Sequence, residues 1–273
     1  MPQARGARAH MGGAMRTCIA AVLVLFGGVC LAQAAQDGPQ NLAAYPESEA
    51  AAAWRGLASS YVRKALRNRT LERDPVLNAR VDAVMDAVGA AAAAVDARFA
   101  HASWKAILIE DFGHGAAAFP GETILVDAKF LRTLQLNDDE LAFILAHEAA
   151  HVLAGHASAK LSFMAEFLGK EKVPTAHTAL IEFLAKDSYA AAFQATARLH
   201  EREADAVGAA IFFATGYEPQ RALRVFDKLA ELERREDGQA ADSHDTAAAR
   251  KEAVAGVIAE LQQLDARLDP RPR

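Results

Sequence analysis

The residues best suited to chemistry are His147, Glu148 and His151, which stand in the pentapeptide HEAAH. Residues four apart share one face of an α-helix, so both imidazoles can point the same way and hold one metal ion. Glu148 directly follows the first histidine and is therefore close enough to act on a water molecule bound to that metal. The H-E-x-x-H spacing is typical of a zinc site with a glutamate as general base.

A third ligand is needed because a catalytic zinc ion takes three protein ligands and keeps a fourth position open. Ala154 stands where the H-x-x-G-x-x-H extension requires glycine, which argues against the metzincin arrangement. Glu201 and Asp205 are better candidates, since they lie four residues apart and share a helix face. On this interpretation Glu201 ligates the metal and Asp205 accepts the other ring N–H of a ligand histidine. Glu203 is expected to face away as a surface acid, and an ordinary solvated helix face is the alternative for the other two acids.

The composition is that of a globular protein and excludes several classes of function. The chain has 273 residues, of which 52% are hydrophobic and 24% are charged, with a formal net charge of -5. This acidic balance argues against a nucleic-acid partner, which would favour a basic face. Cys18 and Cys30 are the only cysteines, which excludes a disulfide scaffold and a structural zinc site closed by cysteines.

The first residues have the pattern of a secretory signal peptide. Residues 1–34 contain three arginines and no acidic residue, and an apolar run at 18–31 is followed by the small-residue pattern Ala-Gln-Ala. This pattern predicts export to the periplasm or secretion, with 35–273 as a single mature domain. An uncleaved N-terminal anchor is the alternative, although the run is shorter than a membrane span of about 20 residues. No other stretch reaches about 18 uninterrupted apolar residues, so no stable membrane span is expected after signal removal.

The candidate ligands must be positioned by helices, because most of the chain has helical hydrophobic spacing. The helix that carries HEAAH is predicted to begin after Asn137, which can form a capping box with Glu140. Two short β-rich runs, WKAILI at 104–109 and TILV at 123–126, are expected to form a small sheet. Further helices are predicted at 47–66, 75–94, 161–172, 177–215, from Pro219 onward, and at 247–267. The predicted fold class is therefore α+β, predominantly helical, with a small β-sheet near the front.

The apolar segment 157–199 separates the two predicted metal-binding helices along the chain. Simple core packing is the favoured interpretation of its leucines and phenylalanines. A helical hairpin over the cleft, or a contact surface for a membrane or a partner protein, are the alternatives.

The motif HEAAH and the later EREAD at 201–205 together resemble the gluzincin family of HtpX, BepA and the CAAX prenyl proteases, which pairs H-E-x-x-H with a downstream E-x-x-A-D. The resemblance covers about residues 75–265, most of the predicted mature chain, and includes the run DELAFILAHE. It implies a zincin-like metalloprotease domain whose small sheet lies beside the active-site helix. It also implies one zinc ion per chain, bound by His147, His151 and Glu201.

Two segments depart from the family pattern. The family has N-A-F-A-x-P-G-G before the second strand, and here Gly115 replaces Asn, Ala117 replaces Phe and Glu122 replaces the last Gly. Exported relatives of the BepA type have His-Pro with an arginine six residues after the histidine; His244 and Arg250 have this spacing without the proline. The resemblance implies that His244 approaches the zinc, where it stabilises the oxyanion or occupies the open position and holds the enzyme latent, and that Arg250 supports the site from behind. A histidine in a surface loop is the alternative for His244.

The expected chemistry is peptide hydrolysis by a zinc metalloendopeptidase. Glu148 takes a proton from the metal-activated water and returns it to the leaving amine. The TILV strand, as an open sheet edge, is expected to capture an extended peptide through its main chain. This mode suits unfolded or misfolded envelope proteins and predicts periplasmic quality control, with outer-membrane assembly proteins as further candidate partners. The alternative is a latent zinc-fold chaperone or assembly factor that acts by binding, which the intact Glu148 argues against.

Overall fold

The computed structural model describes residues 43–235 and 245–268; the predicted signal peptide and His244 lie outside these ranges. The helices are α1 (Glu47–Asn68), α2 (Pro75–Val95), α3 (Ala128–Leu134), α4 (Asp138–Leu153), α5 (His156–Leu168), α6 (Ala176–Ala185), α7 (Asp187–Thr215), α8 (Pro219–Ala222), α9 (Arg224–Arg235) and α10 (Ala247–Leu268). The strands are β1 (Lys105–Ile109), β2 (Ala116–Phe119) and β3 (Thr123–Asp127).

The predicted fold class, α+β and predominantly helical with a small sheet, is confirmed by this order of elements. The sheet lies in the first half of the described chain, and helices make up nearly all of the rest. None of the helices in the two described ranges has both the length and the apolarity needed to cross a bilayer.

The three strands are arranged in the order β1-β3-β2, with β3 parallel to β1 and antiparallel to β2. The prediction that the TILV strand is an open edge is therefore wrong, because β3 has a neighbour on each side. The edge strands are β1 and β2, and the sequence analysis did not identify β2. Three of its four residues are alanines, and alanine has a low strand propensity, so its sequence carries little β signal.

Successive residues of the central strand are buried in two different cores. Ile124 and Val126 pack in the larger core, which is built mainly by α2, α4, α7 and α10. Leu125 packs in a smaller core with α1, α5 and α6. Side chains alternate between the two faces of a strand, so a strand that is buried on both faces has a continuous apolar sequence. The sheet therefore joins the two cores of the fold.

Helix α4 carries the HEAAH motif through the larger core, and its start is firmly fixed. Asn137 accepts a hydrogen bond from the Glu140 backbone at 2.9 Å, and the Glu140 carboxylate accepts one from the Asn137 backbone at 2.7 Å, which confirms the capping box. Asp138 and Asp139 add negative charge where the helix dipole is positive. The buried Glu140 carboxylate also pairs with Lys228 at 2.7 Å. These contacts fix the position of the start of α4, and so the position of the histidines that follow along the helix.

The single helix predicted at 177–215 is divided into α6 and α7. Lys186 has extended backbone, with φ -141 and ψ 122, and separates the end of one helix from the start of the next. No proline or glycine stands at this break, so the sequence lacks the usual marker for it.

The segment 157–199 combines two of the interpretations considered for it. Leu161 and Leu180 are buried in the smaller core, as simple core packing predicts. Phe183 and Phe193 instead lie in the wall of a cleft beside the candidate metal ligands. Helix α1 also contributes to the cleft, because Trp54 lines it and donates a 2.9 Å hydrogen bond to a backbone carbonyl at the start of α5.

Candidate metal centre

The three predicted ligand side chains converge between α4 and α7. The Nε2 atoms of His147 and His151 are 3.1 Å apart. Glu201 places Oε2 at 3.2 Å from the Nε2 atom of His147 and Oε1 at 3.5 Å from that of His151. The structure therefore brings these three side chains together as one group that could hold a metal ion.

The separation of the two imidazole nitrogens fits a tetrahedral zinc ion. Zinc binds imidazole nitrogen and carboxylate oxygen at about 2.0–2.1 Å, so two ligand atoms of a tetrahedral site lie about 3.3 Å apart. The two imidazole nitrogens are 3.1 Å apart, close to this value. The two oxygens of the Glu201 carboxylate lie on the same side of the group, Oε2 at 3.2 Å from His147 and Oε1 at 3.5 Å from His151. Two imidazoles and one carboxylate also leave a fourth position for water or substrate, as catalytic zinc sites require.

The two helices that carry the ligands cross at Gly208 of α7. A Cβ atom at this position would lie 2.9 Å from the Cα atom of His147 and 3.1 Å from its backbone nitrogen. Glycine alone permits this approach, which brings Glu201 and Asp205 of the same helix within reach of His147. The sequence analysis gave Gly208 no role, although its position three residues after Asp205 places it on the same helix face.

The outer ring nitrogen of His147 faces a buried ion pair. Its Nδ1 atom lies 3.0 Å from Oδ1 of Asp205. Arg250 of α10 donates two hydrogen bonds to the same carboxylate, from Nη2 to Oδ1 and from Nε to Oδ2, each 2.8 Å long. The side chains of Asp205 and Arg250 are only 6% and 14% exposed. The structure thus places both residues directly behind a candidate ligand.

Neighbouring charges and burial shift the pKa values of the two candidate histidine ligands in opposite directions. Burial acts to lower the pKa of His147, but the carboxylates of Asp205 and Glu201 outweigh it and raise the pKa to about 9. Burial dominates at His151 and lowers its pKa to about 3. At neutral pH, therefore, His151 offers a free lone pair, whereas metal binding requires His147 to lose a proton.

Glu148 lies beside the candidate ligands, where burial raises the pKa of its carboxyl group above the ordinary range. The charges of His147 and Lys160 and a hydrogen bond from the Ala118 backbone partly oppose this rise. A carboxyl group with a raised pKa is well suited to accept a proton and to release it again near neutral pH. Lys160, whose own pKa is lowered by burial, is a cleft residue that the sequence analysis did not single out.

A cleft of about 1440 Å³ opens over the candidate ligands and Glu148. Strand β2 forms one wall, and residues of α5 and α7 line the other side. Within the described part of the chain, β2 pairs with β3 on one side only. The unpaired edge of β2 therefore runs along the cleft, and the Ala118 backbone in this strand contacts Glu148 directly.

A third imidazole lies behind His151. The Nδ1 atom of His156 is 2.8 Å from Nδ1 of His151, and its Nε2 atom is 3.2 Å from Oε2 of Glu203. The prediction that Glu203 faces away as a surface acid is therefore correct only in part. Its side chain is 41% exposed, yet it contacts a buried histidine at the start of α5. The packing of α5 against α7 creates this contact, and the helical positions within α7 alone do not reveal it.

His244 lies outside the described residues, so its expected role near the metal stays a prediction. Asp245, the next residue, accepts two hydrogen bonds from Arg202, at 2.6 and 3.0 Å. Arg202 follows Glu201 on α7, so Asp245 is anchored to the part of this helix that carries the candidate ligand.

Comparison with known proteins shows similarity to metallopeptidases. Residues 75–258 match the family model of Peptidase family M48. The chain is 27% identical over 183 residues to a protein of Vibrio cholerae described as a beta-barrel assembly-enhancing protease, a match that covers 63% of this chain and 37% of that protein. It is 28% identical over 135 residues to the mitochondrial metalloendopeptidase OMA1 of Saccharomyces cerevisiae, covering 48% of this chain and 38% of that protein. The chain thus spans less than two fifths of the length of either relative.

The family match runs from the start of α2 into α10 and covers more than half of the chain. It includes the three candidate ligands, Glu148 and the ion pair behind His147. The chain belongs to peptidase family M48.

Proposed function

We propose that this protein is a zinc-dependent endopeptidase that hydrolyses peptide bonds of unfolded or misassembled envelope proteins. The observation that carries the proposal is the group His147, His151 and Glu201, whose ligand atoms converge closely enough to hold one metal ion beside Glu148. Membership of family M48 and the similarity to two proteases support hydrolysis as its activity.

The side chains around the site have distinct tasks in this reaction. A zinc ion bound by the three ligands would supply a Lewis acid that activates water and polarises the peptide carbonyl. Glu148 takes a proton from the attacking water and delivers it to the amine nitrogen as the C–N bond breaks. Asp205, held by Arg250, orients His147 so that its Nε2 atom faces the metal. We propose that His244 assists by stabilising the oxyanion, as arginines and histidines placed near a developing negative charge can do.

The edge strand β2 supports an extended polypeptide as substrate. A peptide that adds to an open sheet edge is bound through main-chain hydrogen bonds, so recognition depends little on its side chains. The alanines of β2 leave the edge accessible, and the contact between Ala118 and Glu148 puts the edge next to the proposed base. Such a site favours chains whose backbone is exposed, which is the property shared by unfolded and misassembled proteins.

A location in the periplasm is proposed from the sequence of residues 1–34, which has the basic, apolar and small-residue regions of a signal peptide. The name of the Vibrio cholerae relative connects that protein with beta-barrel assembly. We therefore propose outer-membrane assembly proteins as candidate partners of this chain, together with its unfolded substrates.

Cleavage of casein, an unfolded test protein, tests the proposed activity. We expect the purified protein to cleave casein without a chelator and to lose this activity when a chelator is added. Glu148→Gln should retain zinc and lower the rate by about 10²–10⁴-fold, because the base is removed while the ligands remain. Glu166→Gln, at an exposed position on α5, is the matched control and should cleave normally.

Full activity of Glu148→Gln, or cleavage that resists the chelator, would contradict the proposed mechanism. Stable zinc binding without any cleavage would instead support the alternative of a zinc-fold chaperone or assembly factor. His244→Ala would then show whether this histidine holds the enzyme latent, since its removal should restore cleavage.

A further inference from the structure

The two candidate histidine ligands are supported in different ways. Nδ1 of His147 faces the Asp205 carboxylate directly, at 3.0 Å. Nδ1 of His151 faces another imidazole, at 2.8 Å from Nδ1 of His156. The other ring nitrogen of His156 lies 3.2 Å from Oε2 of Glu203. A carboxylate is therefore connected to His151 as well, but through an intervening imidazole.

The hydrogen bonds along this row are compatible with one arrangement of protons. When Nε2 of His151 ligates a metal, its ring proton is on Nδ1 and is donated to Nδ1 of His156. A neutral His156 then has its own proton on Nε2, from which it donates to the Glu203 carboxylate. Each ring nitrogen in the row has a partner, and the metal-facing nitrogen of His151 keeps its lone pair.

The surroundings of His156 hold its ring in this position. The ring stacks on that of His200, with centroids 4.1 Å apart and planes inclined by 8°. The His156 side chain is 4% exposed, so water has little access to the row.

We infer that His156 and Glu203 are positioning residues that orient His151 for metal binding, as Asp205 and Arg250 do for His147. The inference rests on the proposed metal site and adds two residues to its support. A carboxylate connected to the outer nitrogen of a ligand histidine fixes its tautomer and raises its basicity. Both residues therefore act through His151 on the affinity for the metal.

The competing role is that of a structural staple, because the same hydrogen bond joins the start of α5 to the middle of α7. A staple would stabilise the fold without changing the affinity for zinc. The dissociation constant for zinc separates the two roles, because it is measured on folded protein and does not depend on catalysis. Competition with a chromogenic chelator gives this constant for the purified protein and its variants.

We expect Glu203→Ala to weaken zinc binding about tenfold and His156→Leu about 10- to 100-fold. Glu203→Gln should lose less than Glu203→Ala, because its amide oxygen can still accept from His156. Glu182→Ala, at a partly buried position on α6, is the control and should bind zinc like the wild type. Thermal unfolding of the metal-free variants shows in parallel that each is folded.

The double variant tests whether the row acts as a unit. With His156 replaced, the Glu203 carboxylate has no connection to His151, so Glu203→Ala should then add no more than about twofold. An unchanged zinc constant for folded Glu203→Ala, or losses that multiply in the double variant, would overturn the inference. Glu203 is partly exposed, so its variants remain informative even where replacement of the buried His156 prevents folding. Wild-type protein that binds no zinc would instead overturn the proposed metal site itself.

Discussion

Gly208 of α7 lies against the backbone of His147 in α4, with no room for a side chain between the two helices. Glu201 and Asp205 lie on the same helix, about two turns and one turn before this glycine. The crossing therefore sets the distances from the imidazole of His147 to the two carboxylates, which are 3.2 Å for Glu201 and 3.0 Å for Asp205. The geometry of the candidate centre depends on contact between two long helices.

Replacement of Gly208 by alanine should disturb this crossing. The added Cβ would meet backbone atoms of His147 at 2.9 and 3.1 Å, which cannot move without separating the helices. We expect Gly208→Ala to lower the free energy of unfolding by about 1–3 kcal/mol, the usual cost of overpacking, and to weaken zinc binding. Gly256→Ala in α10 is the control, since a Cβ there meets nothing within 4 Å.

Urea unfolding of both glycine variants checks this expectation. Gly256→Ala should be as stable as the wild type or up to about 1 kcal/mol more stable, because alanine favours a helix. Equal stability of the two variants would show that α4 and α7 do not meet as closely as the structure indicates.

Replacement of Arg250 should lower the free energy of unfolding, because it breaks the ion pair behind His147. Arg250→Met leaves the buried Asp205 carboxylate without its two hydrogen bonds, and such a change costs about 3–5 kcal/mol of unfolding free energy. Lys251→Met is a matched control at the next residue, because Lys251 pairs with the exposed Asp227 and should contribute less than about 1 kcal/mol. Similar losses in the two variants, measured by urea unfolding of the metal-free protein, would contradict a special role for Arg250.

As the pH decreases, the activity should begin to fall at a higher pH than an ordinary carboxyl group would give, because the pKa of Glu148 is raised. Glu148 must be ionised to accept a proton, so the rate falls as the pH decreases through its pKa, which burial raises above the ordinary value of a glutamate. The charge of Lys160 acts against this rise. Lys160→Met should therefore move the acid limb of the kcat/KM profile to higher pH.

Lys129→Met provides the comparison for the pH profile, because Lys129 is an exposed lysine at the cleft that pairs with Asp111. Its removal should leave the acid limb where it is in the wild type. An acid limb that moves to lower pH in Lys160→Met, or moves equally in both variants, would contradict the proposed electrostatics around Glu148.

Features that depend on one helix could be predicted from the sequence. The spacing of His147 and His151, and that of Glu201 and Asp205, fixes which side chains share a face before any packing is known. The capping box of Asn137 with Glu140 likewise involves neighbouring residues, so it identified the start of α4 correctly.

Features that depend on packing between distant segments could not be predicted in this way. The contact of Glu203 with His156 exists because α5 packs against α7, and the approach of Gly208 to His147 exists because α7 crosses α4. The edge strand β2 was missed for a different reason, since its alanines have little intrinsic preference for a strand. Its strand conformation comes from pairing with β3, which is a tertiary contact.

The central claim is that His147, His151 and Glu201 hold one zinc ion. Anomalous diffraction at the zinc absorption edge, from crystals of the zinc-loaded protein, tests this claim most directly. We predict one peak per chain, about 2.0–2.2 Å from Nε2 of each histidine and from the Glu201 carboxylate. A peak bound by other side chains, or no peak among these three residues, would contradict the claim.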